Sequence, residues 1–290
     1  MYFDKRGVEM NIVERINASF NDMTKSERQV AAHFLGHNSD FALLTLDRIA
    51  AEVQMSTTTI IRFCRKLGFE GYKDFQEALR IDLKFHQPDL ADKYQRTVDS
   101  SGVDELLAQT IRQNISCIQQ TFRDIPHPSL AEAAKRIAAA DRVFTIGMRE
   151  SYALAHYAYT RFLTVRSDTY ILNAAGGDIE SVLNLREGDV CVLFLFHRYT
   201  KQMLQLLPLI KQQGAFIIAV TSPPCDEIEP YASVILPCRV DASGIKNTAI
   251  APICLTDYLC NSAAMINGEK TLHHIKRTED IFKANSVLGS

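Results

Sequence analysis

The sequence predicts two domains of different fold class, an all-α bundle followed by an α/β domain with a doubly wound parallel sheet. Its 290 residues suffice for two domains that each bury a core. Up to about residue 86, apolar residues recur at the three- and four-residue spacing of amphipathic helices. From Pro128, helices alternate with short apolar strands, which is typical of a parallel sheet covered by helices. We expect the first domain at 1–87, a linker or a linker merging into a helix at 88–102, and the second domain at 103–290.

Two adjoining helices at 45–53 and 56–67 are the most informative part of the first domain. In the first helix, one face repeats the apolar residues Leu46, Ile49, Ala50 and Val53. In the second, Ser56 supplies a capping hydroxyl, and the inward face carries Ile60, Phe63, Cys64 and Leu67. The opposite face is polar, with three basic residues and no acidic one. This pattern is typical of a helix-turn-helix, whose second helix enters the DNA major groove. The residues expected to contact DNA are Ser56, Thr57, Thr58, Arg62, Arg65 and Lys66.

Further helices are expected at 11–20, 24–35 and 72–85, the second of them opened by the capping-box pair Thr24 and Glu27. For the two helices at 45–53 and 56–67, the alternative is an ordinary helical hairpin whose basic face is solvated. The net charge is −2, and residues 1–86 hold 12 basic and 12 acidic side chains, so any DNA-binding charge is local. We therefore expect a homodimer or homotetramer, which multiplies the basic face.

The stretch RFCRKLGFEGYKDF, from Arg62 to Phe75, resembles the end of the helix-turn-helix in the RpiR family of bacterial transcription regulators. It matches the family phrase nearly residue for residue. Gly68 can end the second helix in a left-handed conformation, and Gly71 opens the next helix. Gln54 departs from the family, which usually has glycine in the turn. Glycine suits this position because a residue with a side chain tolerates positive φ less well.

Composition and cysteine usage are typical of a reduced globular protein. The sequence is 47% hydrophobic and 23% charged, and its seven cysteines include no C-x-x-C pair, so we expect free thiols in a cytoplasmic protein. The longest purely apolar run, Val190 to Phe196, is far shorter than the roughly 20 residues that span a bilayer. The charged start, Met1 to Glu9, does not resemble a signal peptide. We expect no membrane association, no cofactor and no metal site.

The second domain is predicted as alternating helices and strands. Helices are expected at 103–122, 131–140, 151–163, 178–184, 200–212 and 249–267, and strands at 142–146, 169–172, 189–196, 215–220 and 233–237. The runs VCVLFLF and AFIIAV are continuously apolar, as strands buried on both faces require. The first of these helices is long enough to serve in a dimer as well as in domain packing.

Three loops are expected to meet at the carboxyl edge of this sheet, where open α/β folds bind ligands. They are residues 147–151 after the first strand, 197–200 after the third and 221–222 after the fourth. Each lies near a helix start, where free N–H groups and the helix dipole favour an anion. The sequence therefore predicts an anion site at this edge.

About residues 103–268 resemble the SIS, or sugar isomerase, domain that follows the helix-turn-helix in RpiR-type regulators. The resemblance rests on the loop from Gly147 to Ser151, the pair Gly188-Asp189, and the segment from Gly214 to Ser222. It implies two hydroxyl-rich loops, G-x-G-x-S and S-x-S-G-x-T, that hold the phosphate of a sugar phosphate. Ser151 and Thr200 match these loops.

Several residues of these loops depart from the family pattern. Arg149 replaces the second glycine of the first loop, and the two serines and the glycine of the second loop are replaced by Leu195, His197 and Arg198. Guanidinium groups bind carboxylate or phosphate, so we expect an anionic ligand, either a sugar phosphate or a carboxylate-bearing metabolite. The expected ligand-binding residues are Gly147, Arg149, Ser151, His197, Arg198, Thr200 and Ser222. The alternatives are that both arginines pair with Glu150, Asp178 or Glu180 in a vestigial site, and that His197 is a core or surface histidine.

These observations favour a transcriptional regulator that binds a double-stranded DNA operator and senses a small anionic effector, with no catalytic residues. One alternative is a sugar-phosphate isomerase on the same sheet, with Glu150 or His197 as the general base. Another is a DNA-binding protein whose second domain only dimerises. A helix-turn-helix has no role in isomerisation, which favours the regulator.

Overall fold

The structure, a computed structural model, describes residues 10–36, 41–42, 44–85, 90–100, 102–172, 179–223, 225–241 and 244–285. It divides into two compact units, Met1–Pro88 and Asp89–Ser290. The first unit is helical and the second contains a parallel sheet with helices on both faces, which confirms the predicted fold class.

The first unit is a bundle of short helices, three of which begin with a side-chain cap, from Asn11, Thr24 and Ser56. Its elements are α1 (Ile12–Ser19), a 3₁₀ turn (Phe20–Asp22), α2 (Lys25–Gly36), α3 (Leu46–Val53), α4 (Thr57–Lys66) and α5 (Tyr72–Phe85). The predicted capping box opens α2: the Thr24 N–H donates to the Glu27 carboxylate at 2.8 Å, and the Glu27 N–H donates to the Thr24 hydroxyl at 3.3 Å. The reciprocal bonds satisfy two N–H groups that a helix start leaves without partners.

The core of this unit is built around the ring of Phe75. Phe34, Phe41, Phe63 and Phe69 surround it edge to face, with ring centroids 5.3–6.2 Å away. Aromatic rings favour this arrangement because the positive ring edge meets the negative face. Since Phe63 lies on α4, the cluster fixes that helix against the bundle and leaves its opposite face outward.

The second unit contains a five-stranded sheet, within the described residues, in which every neighbouring pair is parallel. Its elements are α6 (Leu90–Ser100), α7 (Val103–Asp124), α8 (His127–Ala139), β1 (Val143–Gly147), α9 (Ser151–Val165), β2 (Thr169–Leu172), α10 (Ile179–Val182), β3 (Val190–Leu195), α11 (Lys201–Gln212), β4 (Phe216–Thr221), β5 (Val234–Pro237), α12 (Ile250–Asn267) and α13 (Glu269–Ala284). The strand order is β2-β1-β3-β4-β5, so the order reverses between β1 and β3. Ligands bind at such a switch point in open α/β sheets.

Both faces of the sheet are buried, as its continuous apolar strands require. In β3, Val190, Val192 and Phe194 pack with α7, α8, α9 and α12, while alternate residues pack with α11 on the other face. Side chains on a strand alternate between the two faces, so a strand covered on both sides is apolar throughout. This is the doubly wound architecture that the sequence predicted.

Two helices were not predicted by residue range, and the first lies in the segment expected to be a linker or a linker merging into a helix. Residues assigned to the linker form α6, and the Lys93 ammonium of this helix donates to the Asn247 side chain at 2.9 Å. The second helix, α13, follows the last predicted helix after Gly268, which has a φ of 43°. All seven cysteines are free thiols, and no described helix is long and apolar enough to cross a membrane.

Candidate DNA-contacting helix and candidate ligand-binding edge

The turn between α3 and α4 is built on a left-handed residue. Gln54 has a φ of 56° and a ψ of 41°, and its N–H donates to the carbonyls of Ala50 and Ala51. The position that the sequence singled out for glycine therefore does take a positive φ. Ser56 follows and caps α4, its hydroxyl accepting the Thr59 N–H at 3.2 Å.

The two faces of α4 differ as the sequence predicted. Its inward residues, Ile60, Phe63 and Cys64, and the adjoining Leu67 are fully buried. On the outward face Ser56, Thr58, Arg62 and Arg65 are exposed, and Thr57 and Lys66 are half-buried. An exposed row of hydroxyl and guanidinium groups on one helix is the geometry that groove recognition needs. That these side chains contact DNA stays a prediction.

Arg65 is held in place by the loop that follows α4. Its Nε donates to the carbonyl of Glu70 at 3.2 Å, and the Glu70 N–H donates to Asp74 at 2.9 Å. This bond uses one of the five N–H donors of the guanidinium group. The side chain is thereby oriented while most of its donors stay available for other partners.

Lys66 is directed differently from the two arginines. Its ammonium donates to the carbonyl of Asp22 and, at 3.3 Å, to the carboxylate of Glu27. The Glu27 side chain is only 6% exposed and lies 3.8 Å from the Arg62 guanidinium. Burial opposes ionisation of Glu27, but hydrogen bonds from Thr24 and Lys66 outweigh it and lower the pKa of this carboxyl. Lys66 is therefore tied to the bundle, a contact that the sequence did not predict.

The three loops predicted to meet at the carboxyl edge of the sheet are joined by side-chain contacts. Between the loops after β1 and β3, the Thr200 hydroxyl lies 2.9 Å from the Met148 sulfur. Between the loops after β3 and β4, His197 Nδ1 lies 3.2 Å from the Ser222 hydroxyl. The loops thus form one surface at the switch point of the sheet.

The loop after β1 is packed tightly against the start of α9. A Cβ built on Gly147 would stand 2.2 Å from the carbonyl oxygen of Ser151, which no side chain could tolerate without a backbone shift. Two residues later, Arg149 is exposed and has a φ of 53°, in the region that favours glycine. The loop therefore combines one obligatory glycine with one side chain that replaces a glycine of the family pattern.

The start of α9 does not present the free N–H groups that the sequence analysis expected. The N–H groups of Ser151, Tyr152 and Ala153 donate to the carbonyls of Met148, Arg149 and Glu150, at 3.0–3.2 Å. The expectation is wrong here because a tight turn precedes the helix and its carbonyls satisfy these donors. These three N–H groups at the helix start are therefore engaged within the protein.

One carboxylate of the predicted vestigial-site alternative, Glu150, has a partner other than the two arginines. Glu150 forms an ion pair with Lys246, which lies in the segment that leads into α12. Arg198 is exposed, and Asp178, one of the predicted partners, lies outside the described residues. Sequence reasoning missed Lys246, although it is the one cation in residues 244–249 that precede a helix start at this edge.

Tyr199 has a more specific place than packing alone. Its hydroxyl lies 3.1 Å from the Thr221 hydroxyl, and its ring centroid lies 4.2 Å from that of His197. Burial raises the pKa of Tyr199 well above its usual range, so the hydroxyl stays protonated. The ring therefore packs against His197, while the hydroxyl contacts the end of β4.

Two family models match the chain. The helix-turn-helix domain of the rpiR family matches residues 10–85, and the SIS domain matches residues 136–262. Together they cover most of the chain and correspond to the two units of the structure.

The chain is similar over its length to known regulators. It is 24% identical over 283 residues to the HTH-type transcriptional regulator HexR of Escherichia coli K12, covering 94% of this chain and 95% of that protein. In fold it resembles the Vibrio vulnificus NanR protein complexed with ManNAc-6P, with a TM-score of 0.56 and 20% identity over 97% of this chain and 100% of that one. The sugar isomerase domain of an RpiR transcription factor from Sphaerobacter thermophilus gives a TM-score of 0.58 and 20% identity, over 61% and 99% of the two chains. The chain belongs to the RpiR family of transcriptional regulators, with an N-terminal helix-turn-helix domain and a C-terminal SIS domain.

Proposed function

We propose that this regulator binds operator DNA through the outward face of α4 and changes its activity when a small anionic metabolite binds the carboxyl edge of the sheet. DNA contact is assigned to residues 1–87 and effector binding to residues 103–290. The observation that carries the proposal is the exposed row of hydroxyl and guanidinium groups on α4, held outward by a fully buried apolar face.

The chemistry of α4 divides between its two ends. Ser56, Thr57 and Thr58 lie at its start, where hydroxyl groups can reach phosphates and base edges. Arg62 and Arg65 lie one and two turns later and supply guanidinium groups for phosphate or guanine. A homodimer would place two such helices on the half-sites of one operator.

A mobility-shift experiment tests the DNA assignment. The duplex is one selected by the full chain from a random-sequence library, and the variants are Arg62→Ala and Arg65→Ala. Each variant should bind the selected duplex about 5- to 150-fold more weakly, since a good guanidinium contact contributes about 1–3 kcal/mol. Arg136→Ala removes an equal charge from the exposed surface of the second unit and should bind like the parent chain. Specific binding that survives both α4 changes would refute the assignment of the recognition helix.

The proposed effector site is built from side chains. The guanidinium groups of Arg149 and Arg198 supply positive charge, while Ser151, Thr200 and the linked pair of His197 and Ser222 supply hydrogen-bonding groups. This set fits an anion such as a phosphate or carboxylate, for which arginine offers bidentate bonds. The close packing at Gly147 supports the site by fixing the loop that carries Arg149.

Effector binding would act by shifting a population. A ligand that binds one arrangement of the dimer more tightly favours that arrangement, and the spacing of the two recognition helices changes with it. The size of this population shift depends on how much more tightly the effector binds one dimer arrangement than the other, not on how tightly it binds either one.

A thermal-denaturation screen of the full chain against anionic metabolites tests the sensing role. Sugar phosphates lead the panel because the similar NanR protein is complexed with ManNAc-6P, and di- and tricarboxylates follow. A true effector at 100 times its Kd stabilises by about 2.7 kcal/mol, which raises the Tm of a unit of this size by roughly 5–10 °C. Arg149→Gln should abolish that rise, and Lys211→Gln, distant in the fold and equal in charge, should not.

The same compounds separate a sensor from an isomerase. The Glu150 carboxylate is paired with Lys246, and His197 is hydrogen-bonded to Ser222, so each group has a structural partner. We expect an effector that stabilises the chain to remain chemically unchanged after prolonged incubation. Conversion of an aldose phosphate to its ketose at a rate above background would overturn the regulatory proposal for this edge.

A further inference from the structure

A buried carboxylate lies beneath the basic face of α4. We propose that Glu27 is a positioning residue that ties the last turn of α4 to the start of α2 through Lys66, so that Arg62 and Arg65 supply the cationic contacts of this helix to DNA phosphates. The inference rests on the proposed DNA binding by α4 and assigns Lys66 a different role from the two arginines.

Glu27 joins three parts of the first unit. Its carboxylate accepts the Thr24 N–H at 2.8 Å, which closes the cap of α2, and it contacts the Lys66 ammonium at 3.3 Å. Lys66 also donates to the carbonyl of Asp22, at the end of the 3₁₀ turn. The ammonium thus bridges two points on one side of the bundle, 39 and 44 residues away along the chain.

Because the Glu27 carboxylate is buried, moving the Lys66 ammonium from it to a DNA phosphate is unfavourable. The Glu27 side chain is 6% exposed, and a carboxylate so placed is costly to leave without its partner. The Lys66 side chain is 29% exposed, whereas that of Arg62 is 61% exposed. Arg62 lies 3.8 Å from Glu27 and can turn outward without leaving the carboxylate alone, because Lys66 and Thr24 remain bonded to it.

The number of α4 cations that contact DNA phosphates can be measured. Of the three positive charges between Ser56 and Lys66, one is neutralised inside the unit and two face outward. Each protein cation that contacts a phosphate of duplex DNA contributes about 0.9 to the slope of log K against log salt concentration. The slope therefore reports how many cations of α4 reach the DNA.

Three variants of the full chain separate the roles. Glu27→Gln removes the charge while glutamine can still close the capping box. Lys66→Gln removes the tethered cation. Arg65→Gln, one residue away on the same helix, is the matched control for a cation that contacts phosphate. Binding to a random-sequence 30-base-pair duplex is measured by fluorescence anisotropy at several KCl concentrations, and Tm is measured in parallel.

Arg65→Gln should lower the magnitude of the slope by about 0.9 for each protomer on the duplex and leave Tm nearly unchanged. Lys66→Gln should leave the slope unchanged and lower the Tm of the first unit by about 3 °C. Glu27→Gln should increase the slope by up to about 0.9 per protomer, because the released ammonium becomes available to phosphate. In the double variant Glu27→Gln/Lys66→Gln, the slope should return to that of the parent chain.

Two outcomes would overturn the inference. One is a Lys66→Gln slope that falls as far as that of Arg65→Gln, which would make Lys66 a phosphate contact. The other is an additive loss of Tm in the double variant, since partners in one contact lose their shared stabilisation only once. If no form of the chain binds the duplex, the proposed DNA binding fails, and the Tm comparison still decides whether Glu27 and Lys66 act as a pair.

Discussion

Replacing Gly147 with alanine tests whether the loop after β1 is positioned by close backbone packing. The added Cβ would stand 2.2 Å from the Ser151 carbonyl oxygen and 2.6 Å from its carbonyl carbon. Cβ atoms come essentially no closer than 3.0 Å to such neighbours, so the first turn of α9 must retreat by at least 0.8 Å. The neighbours are backbone atoms, so no side-chain rotation can relieve the clash.

The expected cost follows from overpacking. Forcing a methyl group into a filled space costs about 1–3 kcal/mol. For a unit of this size each kcal/mol lowers Tm by about 2–4 °C, so we expect a fall of roughly 6 °C. A shift near 1 Å also exceeds the tolerance of about 0.5 Å within which a binding site must be held. The rise in Tm that an effector from the screen produces should therefore be smaller in Gly147→Ala than in the parent chain.

Differential scanning calorimetry of the full chain measures the fall. Gly102→Ala is the control, because a Cβ at that glycine of the same unit meets nothing within 4 Å. It should melt within about 1 °C of the parent chain. If Gly147→Ala has the same Tm as Gly102→Ala and keeps its response to the effector, the close contact of Gly147 with the Ser151 carbonyl does not hold the loop, which would refute the prediction.

Three further predictions concern stability. Asp189→Asn breaks the bidentate pair with Arg142, whose two bonds measure 2.9 and 2.6 Å around a buried carboxylate. Because the guanidinium group that loses its partner is 25% exposed, the expected cost in chemical denaturation is about 1.5–3 kcal/mol. The exposed pair of Glu132 and Arg136, equally short at 2.7 Å, should cost under about 0.5 kcal/mol in Glu132→Gln, and equal losses would contradict burial as the cause. Gln54→Gly removes a left-handed side chain and should raise the Tm of the first unit by about 3 °C, whereas a fall would show that the turn is unstrained. The folded-state pKa of Glu27 lies below its ordinary value of 4.5, so its stabilisation is present above that pH and is lost as pH falls through the lowered pKa. The Tm advantage of the parent chain over Glu27→Gln should accordingly shrink between pH 7 and pH 3, and a constant difference would contradict an ionised Glu27.

Local patterns predicted most of the fold because they depend on neighbouring residues. The apolar spacing placed Ile60, Phe63 and Cys64 on one buried face, and the hydroxyl of Ser56 marked the start of α4. Continuous apolar runs predicted the central strands to within one residue, since a strand buried on both faces has no polar alternation to misread. By contrast α13 was missed, because Thr271 is its one buried residue among those described, and so it shows little core-facing pattern.

Contacts between distant residues could not be predicted in the same way. The tie from Lys66 to Asp22 spans 44 positions, and the pair of Glu150 and Lys246 spans 96. Helical periodicity placed Lys66 on the polar face of α4 but cannot say whether a neighbouring helix brings a carboxylate to it. Local reasoning gives the direction of a side chain, and only the packed fold gives its partner.

Arg149 combines a strained backbone conformation with a side chain that departs from the SIS loop pattern. A glycine there would adopt the observed φ of 53° at lower cost, and the SIS resemblance leads one to expect it. However, the first N–H groups of α9 already donate to the carbonyls of the preceding turn. The N–H groups of Ser151, Tyr152 and Ala153 are therefore not free donors for an anion. A guanidinium group at the strained position supplies a charge and several donors that this backbone lacks. Strained backbone of this kind is concentrated at functional sites, so the positive φ of Arg149 supports the proposed anion site at this edge.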